Sequence, residues 1–221
     1  MSGSGVLDRY ALLNADVWQT VQERQRATWR LFGDRLGWHE LSQRALCEVG
    51  CGAGGNLVDF VRMGFDPQRL TGLELLPERA AMARRVLPET VELIVGDALD
   101  APVAPCSQDV VFQAVVFSSL QDDAVQRRLA ERMWSWVRPG GGVLWYDFVY
   151  DNPSNLDVRG MPVRRVRELF PHAGAVSVRR VTLAPPIARR VCRIHPAAYT
   201  VANALPFLRT HVLLWLAKTD E

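Results

Sequence analysis

The chain has 221 residues, 48% apolar and 23% charged, a composition that excludes disordered, collagen-like and disulfide-stapled classes and favours one α/β domain over two. Its net charge of +2 is too small to imply a nucleic-acid partner, and none is expected. That balance hides an asymmetry: residues 151–221 carry 11 basic against 5 acidic groups, residues 1–150 carry 15 against 19, and Lys218 is the only Lys beside 25 Arg.

Residues 5–43 read as helical, with Leu7, Ala11, Leu12, Val17, Trp18 and Val21 near helical spacing and breaks at Gly33 and Gly37. A short strand at 45–49 meets the glycine cluster 50–55, and a helix follows over 57–63. A second strand, 70–75, leads through Pro77 at a first helical turn into a helix reaching Val86. A third strand spans 91–95 and ends at Gly96-Asp97. The β-branched run 109–117 predicts a strand buried on both faces, and a helix covers 123–137. Pro139-Gly-Gly-Gly142 then turns into a strand at 143–148. Further on, a short helix is expected at 163–170, a strand at 175–183, one or two helices across 185–208 and a last strand at 210–217. Strands alternating with helices specify a doubly wound, mostly parallel sheet with N-terminal helices and a helical insertion before the last strand.

Cys47, Cys51, Cys106 and Cys192 form no CxxC pair and have no neighbouring His, so free thiols are expected and no metal. His39, His172, His195 and His211 have no metal spacing either; His195 and His211 alone are placed where they could reach a site. Residues 1–25 lack the apolar core of a signal peptide. The most apolar stretch, 196–217, is interrupted by Asn203, Arg209 and His211, so no transmembrane segment is expected and the location reads as cytoplasmic.

The informative segment is Glu48-Val-Gly50-Cys-Gly52-Ala-Gly54-Gly55-Asn56. Glycines let the chain turn tightly off a strand and let a ligand approach the backbone at the positive end of the next helix. As G-x-G-x-x-G, Gly50, Gly52 and Gly55 also fit a dinucleotide fingerprint, which keeps an NAD(P)-dependent oxidoreductase as an alternative. Glu48 argues otherwise, because an acid there suits a positively charged ligand group better than a pyrophosphate. Glu74 ends the second strand, where a carboxylate can accept both hydroxyls of a ribose. Asp97 ends the third, where it can accept from an adenine amino group.

As a set, Cys47-Glu-Val-Gly-Cys-Gly-Ala-Gly54, Thr71-Gly-Leu-Glu-Leu75, Val95-Gly-Asp-Ala98, Asp109-Val-Val-Phe112 and Val137-Arg-Pro-Gly-Gly-Gly142 resemble the class I, Rossmann-like S-adenosylmethionine (SAM)-dependent methyltransferases, in a bacterial small-molecule form. The resemblance covers about half of the chain and implies a seven-stranded sheet. It implies SAM as cofactor, with S-adenosyl-L-homocysteine as product. Glu48, Gly50, Cys51, Gly52, Gly54 and Asn56 would then hold the methionine part, Glu74 and Leu75 the ribose side, and Asp97 and Ala98 the adenine. Gln113 and Ala114, ending the fourth strand, would complete the pocket.

A hydroxyl acceptor must also lose a proton, and the carboxylate best placed to help is Asp147, ahead of Asp151. Phe117, Ser118, Tyr146 and Tyr150 are expected to line the acceptor side, and Asn152-Pro153 to form a turn closing it. Tyr10 and Trp18 are candidates to touch the cofactor. The expected organisation is one domain: a helical cap (1–43), a SAM-binding core (44–150) and an acceptor-side region (151–221) with its insertion at 185–208. The expected acceptor is a small molecule such as a natural product, glycan or lipid-linked intermediate, methylated at a hydroxyl oxygen. The basic C-terminal region suits an anionic or lipid-linked one. A non-catalytic SAM-binding scaffold is the other alternative, and the oligomeric state is left unassigned.

Overall fold

The computed structural model describes residues 11–151 and 157–219. The expectations for Tyr10 and for the Asn152-Pro153 turn fall outside them. The described residues pack as two compact units, one of 11–37 with 179–213 and one of 38–178 with 214–219.

One seven-stranded sheet has the order β3-β2-β1-β4-β5-β7-β6. Its strands are β1 (Leu46–Val49), β2 (Leu70–Glu74), β3 (Glu92–Val95), β4 (Gln108–Ala114), β5 (Val137–Phe148), β6 (Val176–Leu183) and β7 (Arg209–Ala217). The pairs β1–β2, β1–β4, β2–β3 and β4–β5 are all parallel, with Leu46 in register with Leu70 on one side and Val110 on the other. Every residue of β1 and β2 is buried, as strands covered on both faces require. The strand order reverses between β1 and β4, and in such sheets ligands bind outside the carboxyl ends at that reversal.

In the larger unit the helices are α2 (Gly55–Met63), α3 (Pro77–Arg84), α4 (Asp123–Trp136) and α5 (Val163–Leu169); α1 (Ala15–Arg30) precedes them in the smaller unit. Phe60 of α2 meets Phe112 of β4 edge-on, ring centroids 5.3 Å apart. At the amino end of the sheet, buried Asp109 accepts from the Ala45 amide (2.8 Å) and pairs with Arg44 (2.9 Å) and Arg138 (3.4 Å). That ion cluster ties β1, β4 and β5 together at the end remote from the glycine turn.

In the smaller unit, α1 and α6 (Pro185–Ile194) pack together with α7 (Ala198–Asn203). Its core is Leu183, Ala188, Cys192 and Tyr199, flanked by Ala15, Ile187, Val191, Ala202 and Leu208. The Tyr199 hydroxyl donates to Glu23 Oε2 (2.7 Å) and accepts from the Leu183 amide (3.3 Å), while Glu23 also accepts from the Thr182 amide (3.0 Å). Thr182 has φ of 65°, which turns these amides away from regular pairing and explains why side chains satisfy them.

Several boundaries differ from expectation. Gly33 does not break the first helix: the chain continues through it as a wide turn, Leu31–Arg35. β4 ends at Ala114 rather than 117, because Val115 takes φ of 60° and Phe117–Ser119 form a 3-10 turn. β5 starts at Val137, not at 143, and the Pro-Gly-Gly-Gly segment lies within it at a register shift opposite Gln108–Val110. A Cβ on Gly141 would sit 2.6 Å from the Asp109 carbonyl oxygen, so the close backbone approach there requires glycine.

Candidate active site

The turn Gly50–Gly54 leaves the carboxyl end of β1 and enters α2. At Gly50 (φ +67°) an added Cβ would lie 2.6 Å from Val116 Cγ2, so only glycine lets the turn seat against the chain beyond β4. Gly52 (φ +57°) differs: a Cβ there meets nothing within 4 Å, so its face opens onto free space. The Cys51 amide donates to the Leu73 carbonyl (2.9 Å), and the Gly52 amide to Glu74 Oε2 (2.7 Å). Glu74 also accepts from the Leu76 amide through Oε1 (2.9 Å), and its own carbonyl accepts from the Gly96 amide (2.9 Å). One buried carboxylate thus fixes the turn beyond β1 and the exit of β2, while the backbone of the same residue holds the end of β3.

Glu48 is fully buried at the end of β1, and its Oε1 accepts from Asn56 Nδ2 (2.6 Å), one turn into α2. Asp97 is exposed beyond β3, with Oδ1 accepting from the Leu99 amide (2.9 Å) at the start of a 3-10 turn. Leu75 is exposed, and Ala98 and Ala114 are half-buried. The negative field of these acids reaches the neighbouring thiols. Burial first, and then the charges of Glu48 and Glu74, push Cys51 up to about 12. Burial and Glu48 raise Cys47 as well.

At the carboxyl ends of β4 and β5, Gln113 and Asp147 are both fully buried. Gln113 accepts from the Val116 amide (3.0 Å) and donates to the Tyr146 carbonyl and to Asp147 Oδ2 (both 3.4 Å). Asp147 also accepts from the Ser118 amide (3.2 Å) and the Phe148 amide (2.8 Å). Burial pushes its carboxyl up to about 6, against the opposing pull of hydrogen bonds from Ser118, Phe148 and Gln113.

Residues 46–141 match the family model described as a methyltransferase domain. Over those residues, somewhat under half of its length, the chain carries a methyltransferase domain. The methyltransferase is 28% identical over 116 residues to a tRNA N(3)-methylcytidine methyltransferase of Drosophila melanogaster, a match covering 49% of this chain and 35% of that one. It thus spans about a third of that relative's length. Its fold is shared with the geranyl diphosphate C-methyltransferase of Streptomyces coelicolor (TM-score 0.62, 14% identity, 86% of this chain and 76% of that one). The same holds for phosphoethanolamine N-methyltransferase 2 of Haemonchus contortus (TM-score 0.62, 17% identity, 87% and 53%).

SAM is the methyl donor of this class, and the methyltransferase's residues suit it. An open face at Gly52, the buried carboxyl of Glu48 for a cationic amino group and the carboxyl of Glu74 lie at the carboxyl ends of the neighbouring strands β1 and β2. The structure brings Glu48, Gly50, Cys51, Gly52, Gly54, Asn56 and Glu74 together, with Asp97 and Ala98 on the next strand end and Gln113 and Ala114 on the β4 side.

The expected acceptor side is distributed differently. Phe117 packs on Trp145 with ring centroids 4.5 Å apart, and Phe117, Ser118 and Tyr146 are buried, whereas Tyr150 is exposed. His39, His172 and His195 are exposed; His211 is buried and pushed down to about 3 by burial and by Arg24. Trp18 is exposed on α1. Sequence reasoning missed Gln126, fully buried on α4, whose Nε2 donates to the Phe117 and Leu120 carbonyls (3.1 and 2.9 Å) and so holds the turn after β4. Its signal was available: Gln126 occupies the same helical stripe as Leu129, Ala130, Met133 and Trp136. Among the described residues no group of His, Cys, Asp and Glu is arranged to hold a metal ion, and no helix is long and apolar enough to cross a membrane.

Proposed function

We propose that the protein transfers the methyl group of SAM to a hydroxyl oxygen of a small-molecule acceptor. The observation that carries the SAM half is Glu74, whose carboxylate fixes the glycine turn through the Gly52 amide. Glu48 lies buried beside that turn, and Asp97 ends the next strand. Glu48, Gly50, Cys51, Gly52, Gly54 and Asn56 would hold the methionine end, Glu74 and Leu75 the ribose, and Asp97 and Ala98 the adenine. Gln113 and Ala114 would close the pocket from β4. When bound, SAM supplies an electrophilic methyl group on a sulfonium leaving group, so the protein mainly has to align an acceptor with it.

Preference for a hydroxyl rests on Asp147. A carboxyl pushed up to about 6 is ionised at neutral pH and still basic enough to take a proton from an aligned hydroxyl. In this reading Asp147 is the proton acceptor, Phe117, Ser118 and Tyr146 form the wall behind it, and exposed Tyr150 faces the acceptor. The relatives methylate carbon and nitrogen, so their shared fold does not select the acceptor atom. An RNA acceptor is the second reading, favoured by the likeness to the Drosophila tRNA enzyme.

The test is calorimetric titration of the chain with SAM, S-adenosyl-L-homocysteine and NAD. SAM and its product should bind and NAD should not, and Glu74→Ala should weaken SAM at least tenfold. Tighter binding of NAD, or unchanged SAM affinity in Glu74→Ala, would refute the cofactor assignment. Methyl transfer from labelled SAM to bulk tRNA, and none to hydroxylated small molecules, would replace the first acceptor class with the second.

A further inference from the structure

We propose that the α6–α7 face of the smaller unit docks on an anionic lipid surface. The argument begins with charge. From Leu169 to Thr219 the sequence contains no Asp or Glu, yet it contains Arg179, Arg180, Arg189, Arg190, Arg193, Arg209 and Lys218. On α6 the inward stripe is Ala188 and Cys192 with Ile187 and Val191, and Arg190 and Arg193 lie exposed opposite it. The acids of α1 do not offset this face. The charge of Asp16 acts on the Cys192 thiol, on the inward side of α6, and Glu23 is engaged by Tyr199 and Thr182.

The second observation is apolar. α7 is too short to hide two faces: Tyr199 and Ala202 point into the core, which leaves Val201 74% exposed. Ala197, Val201, Ala204 and Leu205, at spacings of four, three and one, make an outward stripe, and all four are exposed. Ile194 at the end of α6 is 84% exposed, and Phe207 after α7 is 73% exposed. Aliphatic side chains presented beside arginines, without a carboxylate among them, match the interface of an anionic bilayer, where apolar groups enter the acyl boundary and cations meet headgroups. Nucleic acid is a poorer fit, because Phe207 alone in this stripe could stack on a base. A second copy would bring like-charged arginines together.

Co-sedimentation of the full chain with vesicles tests this independently of the methyl-transfer reading. Vesicles of two parts phosphatidylcholine to one part phosphatidylglycerol should carry the protein down at low salt, and pure phosphatidylcholine should not. Ile194→Ser with Phe207→Ser should weaken binding by about tenfold or more. Arg190→Ser with Arg193→Ser should weaken it by roughly fivefold per arginine. All four positions are exposed, so far-UV circular dichroism and urea midpoints should match the parent. Absence of binding to the anionic vesicles would overturn the proposal, as would undiminished binding by the Ile194/Phe207 variant. Stronger binding to a single-stranded RNA than to vesicles would also overturn it, as would a concentration-dependent dimer that the Phe207 change abolishes.

Discussion

Asp147→Asn separates the cost of burying a charge from the work that charge does. The carboxyl has an ordinary value of 3.8 and is pushed up to about 6 on folding, so the folded chain binds a proton more tightly than the unfolded chain. Its contribution to stability is therefore full below 3.8 and is lost as pH rises through about 6. A shift of roughly two units corresponds to about 3 kcal/mol, nearly all of it lost by pH 8 and roughly half of it already lost at pH 5. Asn removes this dependence but presents an NH2 where one carboxylate oxygen had accepted. If its carbonyl faces the Phe148 amide, the Ser118 amide and Gln113 Nε2 lose their acceptor, which costs about 1–3 kcal/mol. The two effects nearly cancel at pH 8, and at pH 5 the variant is the less stable protein. Urea unfolding of both proteins at pH 5 and pH 8 should show the difference moving in favour of Asn by about 1–2 kcal/mol as pH rises. A difference that stays constant across that range would refute the reasoning, because it would mean that the carboxyl is not a desolvated charge. This assay needs no acceptor. Once an acceptor is found, the same variant should bind SAM normally and lose about a hundredfold or more in kcat, and full turnover would remove Asp147 from the proton-transfer role.

Tyr199→Phe should cost about 2–3 kcal/mol in urea unfolding, because it leaves the Leu183 amide without its acceptor and takes a donor from Glu23; a loss below about 0.5 kcal/mol would refute that accounting. Native thiol titration should find one fast cysteine, Cys106, which is exposed. Cys47 and Cys51, buried and pushed up by burial and neighbouring acids, should react only on unfolding, and rapid labelling of either would contradict the placement of the glycine turn.

The alternation of strands and helices was legible because β1, β2 and β4 are short apolar runs bounded by glycine, proline or acids. Where prediction failed, the deciding partner lay far along the chain. Val115 turns out of the strand between Gln113 and Ser118, which are held by Tyr146 and Asp147 about thirty residues further on, and no local pattern signals that. Gly140–Gly142 looked like a turn because glycine punctuates; in the sheet Gly141 fits against the Asp109 carbonyl and Gly142 against Trp215. In the site, Glu48, Glu74 and Asp97 could be picked out by their positions at or just beyond the carboxyl ends of strands. What could not be read was that Glu74 would hold the glycine turn through its side chain, since that depends on β1 and β2 being in register. The burial of Phe117 followed from the buried run 109–117, but that of Ser118 was hidden, being set by Asp147 on the neighbouring strand.

The smaller unit is assembled from two stretches of chain separated by residues 38–178. During synthesis α1 leaves the ribosome about 160–170 residues before α6 and α7 do, a wait of roughly 8–35 s at ordinary elongation rates. Throughout that interval Ala15 lacks the Leu183–Tyr199 cluster, and Glu23 lacks both the hydroxyl and the amide it will accept from. The larger unit has nearly its whole sequence by then and is free to condense first, lacking only residues 214–219 of those described. The smaller unit is therefore completed late, which makes residues 179–213 a checkpoint for its first helix: until they emerge, α1 has neither its core nor the groups that Glu23 accepts from.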